Sequence, residues 1–351
     1  RHDLPLAGRT ADDSTAYGGV VGIANDQIRV QLLGSRESGG DISWPGGTIG
    51  GSQHERLVYG AGLGFRTGVH EVSLDLRRQE TGATGNPPFA MDIRYFDTDF
   101  ARLGYRGDWD GVSVNAHLAM ADVAHAMNNF DLRPAPAMAA MYRESLATAQ
   151  TVSGGADAAF DALGGSLRLG FDGEQAEHGL AITNPNNADF VLNSLSGITM
   201  ERSGAFAEWT GALGGWETEL GLRADRHRAA AGTASVGPAV PAMPGMLAMA
   251  FNATDRRLDD TTFDAVARLW RPLSETTTLR LTLARKTRAP GYVERFAWLP
   301  TEASGGLADG NTYVGDAGLA PETAWIAEAG LDWASGSAYA RPTRRSRWSR
   351  P

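Results

Sequence analysis

His125 and Met127 stand two residues apart in the segment Val123-Ala124-His125-Ala126-Met127. An imidazole beside a thioether is a soft to borderline donor pair, which suits copper, above all Cu(I), better than calcium or magnesium. On a strand, residues i and i+2 lie on one face and can reach one ion. Two donors do not complete a coordination shell, so partners must come from elsewhere. A plainer reading also fits: a histidine at the base of a loop and a methionine packed under Phe130. Met138 and Met141 follow in the same connection, and Met243, Met246 and Met249 recur every third residue in the loop-like text PAMPGMLAMAF. Thioethers grouped in exposed loops either pack on a local hydrophobic turn or bind something soft. Other chemistry lacks a carrier. The chain has no cysteine, which removes thiolate nucleophiles and cysteine metal sites. No Gly-x-Ser-x-Gly, Walker-type loop or His-Glu-x-x-His occurs, so an enzyme is not expected.

The elements that must position these residues have a period of two. Val112, Val114, Ala116, Leu118 and Met120 alternate with Ser113, Asn115 and His117, and Leu57, Tyr59, Ala61, Leu63 and Phe65 share one face. Leu279, Leu281 and Leu283 alternate with Arg280 and Thr282, and Trp325 to Trp333 behaves likewise. Such alternation marks strands with one apolar and one polar face. Short turns at 66–69, 106–111, 161–165, 211–215 and 272–276 alternate with long connections near 81–97, 124–150, 173–200, 229–260 and 287–322. About 13 strands of about 10 residues, with short turns on one rim and long loops on the other, predict an all-β, antiparallel transmembrane β-barrel. A soluble β-sandwich is the alternative, but it rarely gives every second connection such length. Continued register puts His125 and Met127 on the inner face with His117. It puts Glu217, Glu219, Arg223, Asp225 and His227 on a mixed-charge lumenal face, as barrels have.

Length and charge narrow the partners. The 351 residues carry a formal charge of −9 and a single lysine, Lys286, so no basic stripe exists to hold nucleic acid. No apolar run of about 18 residues supplies a helical membrane span. Residues 1–9 contain no apolar signal core and no initiating Met, as expected of a mature product or a fragment. Residues 1–333 read as one incomplete barrel region. From Ala334 the text SGSAYARPTRRSRWSRP loses alternation, and 334–351 is expected to be a basic non-barrel tail, either solvated or produced by a frameshift or early stop.

Two segments carry a family resemblance. Arg288-Ala289-Pro290-Gly291-Tyr292-Val293-Glu294, then Gly310-Asn311, then Gly315-Asp316-Ala317-Gly318-Leu319-Ala320-Pro321-Glu322 and Glu328-Ala329-Gly330 resemble the barrel signature of TonB-dependent outer-membrane receptors. Asp316-Ala317 replaces the family's usual Asn-Pro. His125-Ala126-Met127-Asn128-Asn129-Phe130-Asp131-Leu132-Arg133 resembles the His-x-Met stretch of the copper-receptor branch, in which the His and Met contribute to a copper site. The resemblance covers about residues 90–333. It implies a Gram-negative outer-membrane receptor, a barrel of about 22 strands, contact with the TonB complex through an N-terminal plug and box, outer-membrane lipid around the wall, and copper or a metal chelate as substrate rather than cofactor. Neither plug nor box is recognisable here. A siderophore, haem or zinc receptor on the same barrel, and a passive porin-like barrel, are the alternatives. Met138, Met141, Met243, Met246 and Met249 would then capture metal at the outer face.

Overall fold

The computed structural model describes residues 2–3, 6–299, 311 and 313–350; Gly310 of the signature lies outside them. Fourteen long strands run in chain order: β1 Ser14–Ala24, β2 Ile28–Gly39, β3 His54–Thr67, β4 His70–Thr81, β5 Asp92–Trp109, β6 Val112–Asn128, β7 Glu144–Ala162, β8 Gly165–Asn184, β9 Asn187–Leu213, β10 Trp216–Ala230, β11 Arg257–Ser274, β12 Thr277–Arg288, β13 Glu322–Ser335 and β14 Thr343–Arg350. Each pairs antiparallel with the next. The all-β antiparallel barrel architecture expected from the alternation is therefore the one observed.

The two rims differ as the turn chemistry dictates. Leu163 and Gly164 both take positive φ, 55° and 70°, as do Gly214 and Gly215, 57° and 78°. Two such residues make the tight turn whose twist matches a β-hairpin. At the other rim β7, β8 and β9 reach 19, 20 and 27 residues. That exceeds the roughly 9–11 residues a tilted strand needs to cross a bilayer.

Register separates an apolar face of the sheet from a polar one. On β6, Leu118 stands opposite Leu103 and Gly154, and Met120 opposite Ala101 and Val152; both side chains are exposed. The next outward residue, Asp122, accepts a hydrogen bond of 3.1 Å from Gln150 Nε2, so the apolar belt stops between Met120 and Asp122. The opposite face is polar. Asn115 and Arg168 both bond Asp157, while Arg223 and Arg202 share Asp172 and Asp225. Paired charges on the inside and aliphatics on the outside are the pattern of a membrane barrel.

Two expectations change. The connection near 173–200 is not a loop but a hairpin, with Asn184 paired to Asn187. Register shifts between His178 and Ala181 interrupt the alternation, which is why the sequence hides it. The segment after Ala334, expected to leave the sheet, instead turns at Gly336 (φ 58°) and returns along β13. Thr343 lies opposite Gly330 and Arg350 opposite Thr323. Main-chain hydrogen bonds carry this pairing, so no apolar alternation is required to form it.

At the long-loop rim a compact core replaces open strand ends. Ile182, Phe190, Leu192 and Ile198 pack with Ala248, Phe251, Phe296 and Trp298. These come from β8, β9, helix α1 (Ala242–Asn252), helix α2 (Tyr292–Phe296) and the segment after it. The text PAMPGMLAMAF, expected as a loop, is this helix α1: Pro244, Ala248 and Phe251 are buried, and that apolar face holds it on the rim.

Candidate metal centre

His125 lies on β6 above the belt that ends at Met120. Its ring faces its register partner Phe96, with centroids 4.7 Å apart and planes at 58°. Its Nε2 is buried and has no hydrogen-bond partner among the described residues. Burial pushes the imidazole pKa down, so the neutral form, whose nitrogen lone pair can ligate, is favoured. Met127 follows on the same face and is half-buried. One residue of β5 bulges opposite this pair, because Ala126 pairs with Tyr95 and Met127 with Ile93. Bulges re-aim side chains near functional sites.

The residues after Met127 pin the loop that follows this strand. Asn128 Oδ1 accepts the N–H groups of Phe130 and Asp131 at 3.2 and 3.0 Å. Asn129 donates to the Met141 carbonyl and accepts the Arg143 N–H at 3.0 and 2.9 Å. Arg133 grips Asp92 with two hydrogen bonds of 2.8 and 2.6 Å and also donates to the Phe89 carbonyl at 2.8 Å. Asp92 is 2% exposed, so this is a buried, forked ion pair rather than a surface one. Phe130, expected over Met127, packs on Tyr142, ring centroids 5.2 Å apart. Much of the segment that resembles the copper branch is thus loop architecture. Asp92, 41 residues from Arg133, carried no sequence signal.

The other methionines sit on the same rim. Met138 and Met141 are exposed, the first preceding and the second ending a short 3₁₀ turn, Ala139–Met141. Asn184 Nδ2 ties that turn to the tip of β8 through the Ala139 carbonyl at 3.0 Å, and the Arg143 guanidinium lies 3.8 Å from the Phe190 ring centre. Met243, Met246 and Met249 are 53%, 58% and 68% exposed on α1. Residues three apart on a helix are neighbours, so their thioethers form one stripe. Both groups are fastened to the core around Phe190. The structure brings neither group into a closed cluster with His125; among the described residues no three His, Cys, Asp or Glu side chains converge on a metal position.

The Arg288 signature has a structural meaning that spacing could not reveal. Arg288 donates to both Glu294 oxygens at 2.7 and 2.9 Å and to Glu322 at 2.9 Å. Glu294 also accepts the Gly291 N–H at 2.7 Å, closing the first turn of α2. Arg288 above all, then that N–H, holds the Glu294 carboxyl down at about 2. The motif residues clamp the long connection to the ends of β12 and β13.

Comparison with known proteins places this geometry. Residues 38–341 match the family described as TonB dependent receptor-like, beta-barrel. No curated protein matches by sequence. Among solved structures, the copper transporter OprC is similar at 19% identity with a TM-score of 0.76, over 98% of this chain and 52% of that one. The Serratia marcescens hemophore receptor HasR, solved with its hemophore and haem, is similar at 16% identity and TM-score 0.66, over 99% of this chain and 53% of that one. The P. aeruginosa receptor FpvA, solved with pyoverdine, is similar at 11% identity and TM-score 0.67, over 99% and 48%. The chain spans about half the length of these structures, and likeness at such identities is likeness of fold.

Proposed function

Because this chain belongs to the TonB-dependent receptor-like β-barrel family, we propose that it forms barrel wall of an outer-membrane receptor that takes up copper. The observation that carries the reading is the buried, unbonded His125 Nε2, two residues from the Met127 thioether and at the foot of a loop pinned by Arg133. A neutral imidazole and a thioether favour a soft ion. Energy would come from the TonB complex through a plug domain, whose movement would withdraw the remaining ligands and release the metal. Met138, Met141 and the α1 stripe would collect copper at the outer surface.

Receptors for haem and for a siderophore share the fold, so a chelate is the competing substrate. Offering the full-length receptor equal copper, zinc and iron and measuring bound metal by mass spectrometry separates the readings. Copper is expected to dominate; iron retained only when supplied as a chelate would sink the copper assignment. In the same assay, Met243, Met246 and Met249 all changed to Leu are expected to slow copper loading at low concentration without changing the final stoichiometry. Unchanged loading would return the stripe to a surface role.

The pH dependence follows from His125. Its pKa lies below the ordinary imidazole value of 6.5, and a ligating imidazole must be neutral. The native chain binds fewer protons there than the unfolded chain, so the stabilising contribution is present above about pH 6.5 and is lost as pH falls through the depressed value. Copper retention by equilibrium dialysis is therefore expected to stay level from about pH 8 to 6.5 and fall below that. A fall centred above that value would remove His125 from the site.

A further inference from the structure

The outer wall carries a second feature, unrelated to metal. A groove of about 440 Å³ crosses the lipid-facing side of β6 to β10. Its floor is one register row: Leu118 opposite Gly154, Gly154 opposite Gly173, Gly173 opposite Ser203 and Ser203 opposite Arg226. The row below is apolar, with Ala156, Phe171, Ala205 and Ala224 in register. The row above places Val152 at one end and Arg228 at the other, paired with Glu201. The groove thus straddles the line where the apolar belt gives way to polar residues. Small residues open its middle, aliphatics wall one end and two guanidinium groups stand at the other.

We propose that this groove seats a phosphate-bearing lipid of the surrounding membrane, with an acyl chain against Leu118 and Val152 and the phosphate at Arg226 and Arg228. The location settles the class of occupant, since this face of a barrel meets lipid and the groove lies at headgroup level. Two guanidinium groups are balanced here by Asp259 and Glu201, so an anion would be drawn by donors left unused rather than by net charge. Arg226 binds Asp259 at 2.5 and 2.9 Å, but Arg228 stands 3.7 Å from Asp259 and 3.9 Å from Glu201, too far for hydrogen bonds. Its planar fork remains free to meet phosphate, the geometry for which guanidinium is suited. All four groups are about half exposed, so their mutual pairing is weak and exchangeable.

The full-length receptor, purified in mild detergent and supplied with dimyristoyl-phosphatidylglycerol, tests this by native mass spectrometry. The wild type is expected to retain the lipid in the presence of millimolar inorganic phosphate. Arg226→Gln with Arg228→Gln is expected to lower retention about tenfold by removing the charge-assisted contacts. Gly173→Val fills the floor instead; a Cβ at this position meets only the Arg202 carbonyl, at 3.4 Å, and valine suits a strand. It is expected to lower retention as well. Heat-modifiable gel mobility confirms that each variant folds. Unchanged retention in either folded variant, or displacement of the lipid by inorganic phosphate alone, would overturn the proposal.

Discussion

Changing His125 and Met127 together to alanine is expected to lower copper affinity of the full-length receptor by at least about 100-fold, because even residues behind a ligand typically cost 10–100-fold. The folded barrel should survive. His125 Nε2 has no hydrogen bond to lose, and the loop above is held by Arg133 to Asp92, not by either substituted side chain. The two single changes should each lose most of the affinity, since two donors on one ion act as a unit and their losses do not add. Bound copper counted per receptor, alongside heat-modifiable mobility, reads both quantities. Equal copper in parent and double variant would demote the pair to packing against Phe96 and turn the search for substrate toward chelates.

Arg295→Ala is expected to open the rim by about 3 kcal/mol, the low end of the roughly 3–5 kcal/mol for breaking a buried pair, because the Asp260 left behind is 23% exposed. Arg295 is 1% exposed. It donates to Asp260 at 2.6 Å and to the Leu319 carbonyl at 2.8 Å, joining α2, β11 and the approach to β13. Its neighbours Phe296 and Trp298 belong to the rim core, so a cavity would add to the lost pair. Replacing both members, Arg295→Met with Asp260→Asn, should recover part of the loss, because no unpaired charge is then left behind. Barrels unfold irreversibly under most conditions. The readout is therefore local: amide exchange and protease nicking across 287–322. Unaltered exchange in Arg295→Ala would show that the rim core holds this connection without the ion pair.

The wall was legible residue by residue. The parity that put Leu118 and Met120 outward and His117 and His125 inward is the parity the strands adopt. The charged set at Arg223 and Asp225 forms the lumenal network with Asp172 and Arg202 that their alternation implied. The rim was not legible in the same way. The methionine triplet at 243–249 has helical spacing, yet a connection broken by Pro241, Pro244 and Gly245 reads as loop until Phe251 and Ala248 find Phe190 and Leu192 to cover. Asn128, Asn129 and Arg133 stood in the sequence only as part of the resembling stretch, and their hydrogen bonds show them to be loop anchors.

What the sequence determined by itself is whatever obeys a local period: strand existence, the face each side chain takes, the tight-turn rim, and the His-x-Met pair that follows from two residues on one strand face. Side-chain direction on a strand is set by the backbone two residues away, so no distant information is needed. What only the tertiary structure decided is every pairing across large sequence separation. Arg133 with Asp92, Arg295 with Asp260, Arg288 with Glu322, and the groove that sets Leu118 and Arg226 in one row depend on how many residues each preceding strand and loop consumes. A shift of one residue in any of those registers would send the partner to the other face. That is why the face each strand residue takes could be read along the chain, while what surrounds His125 and Met127 could be read only after the chain had folded.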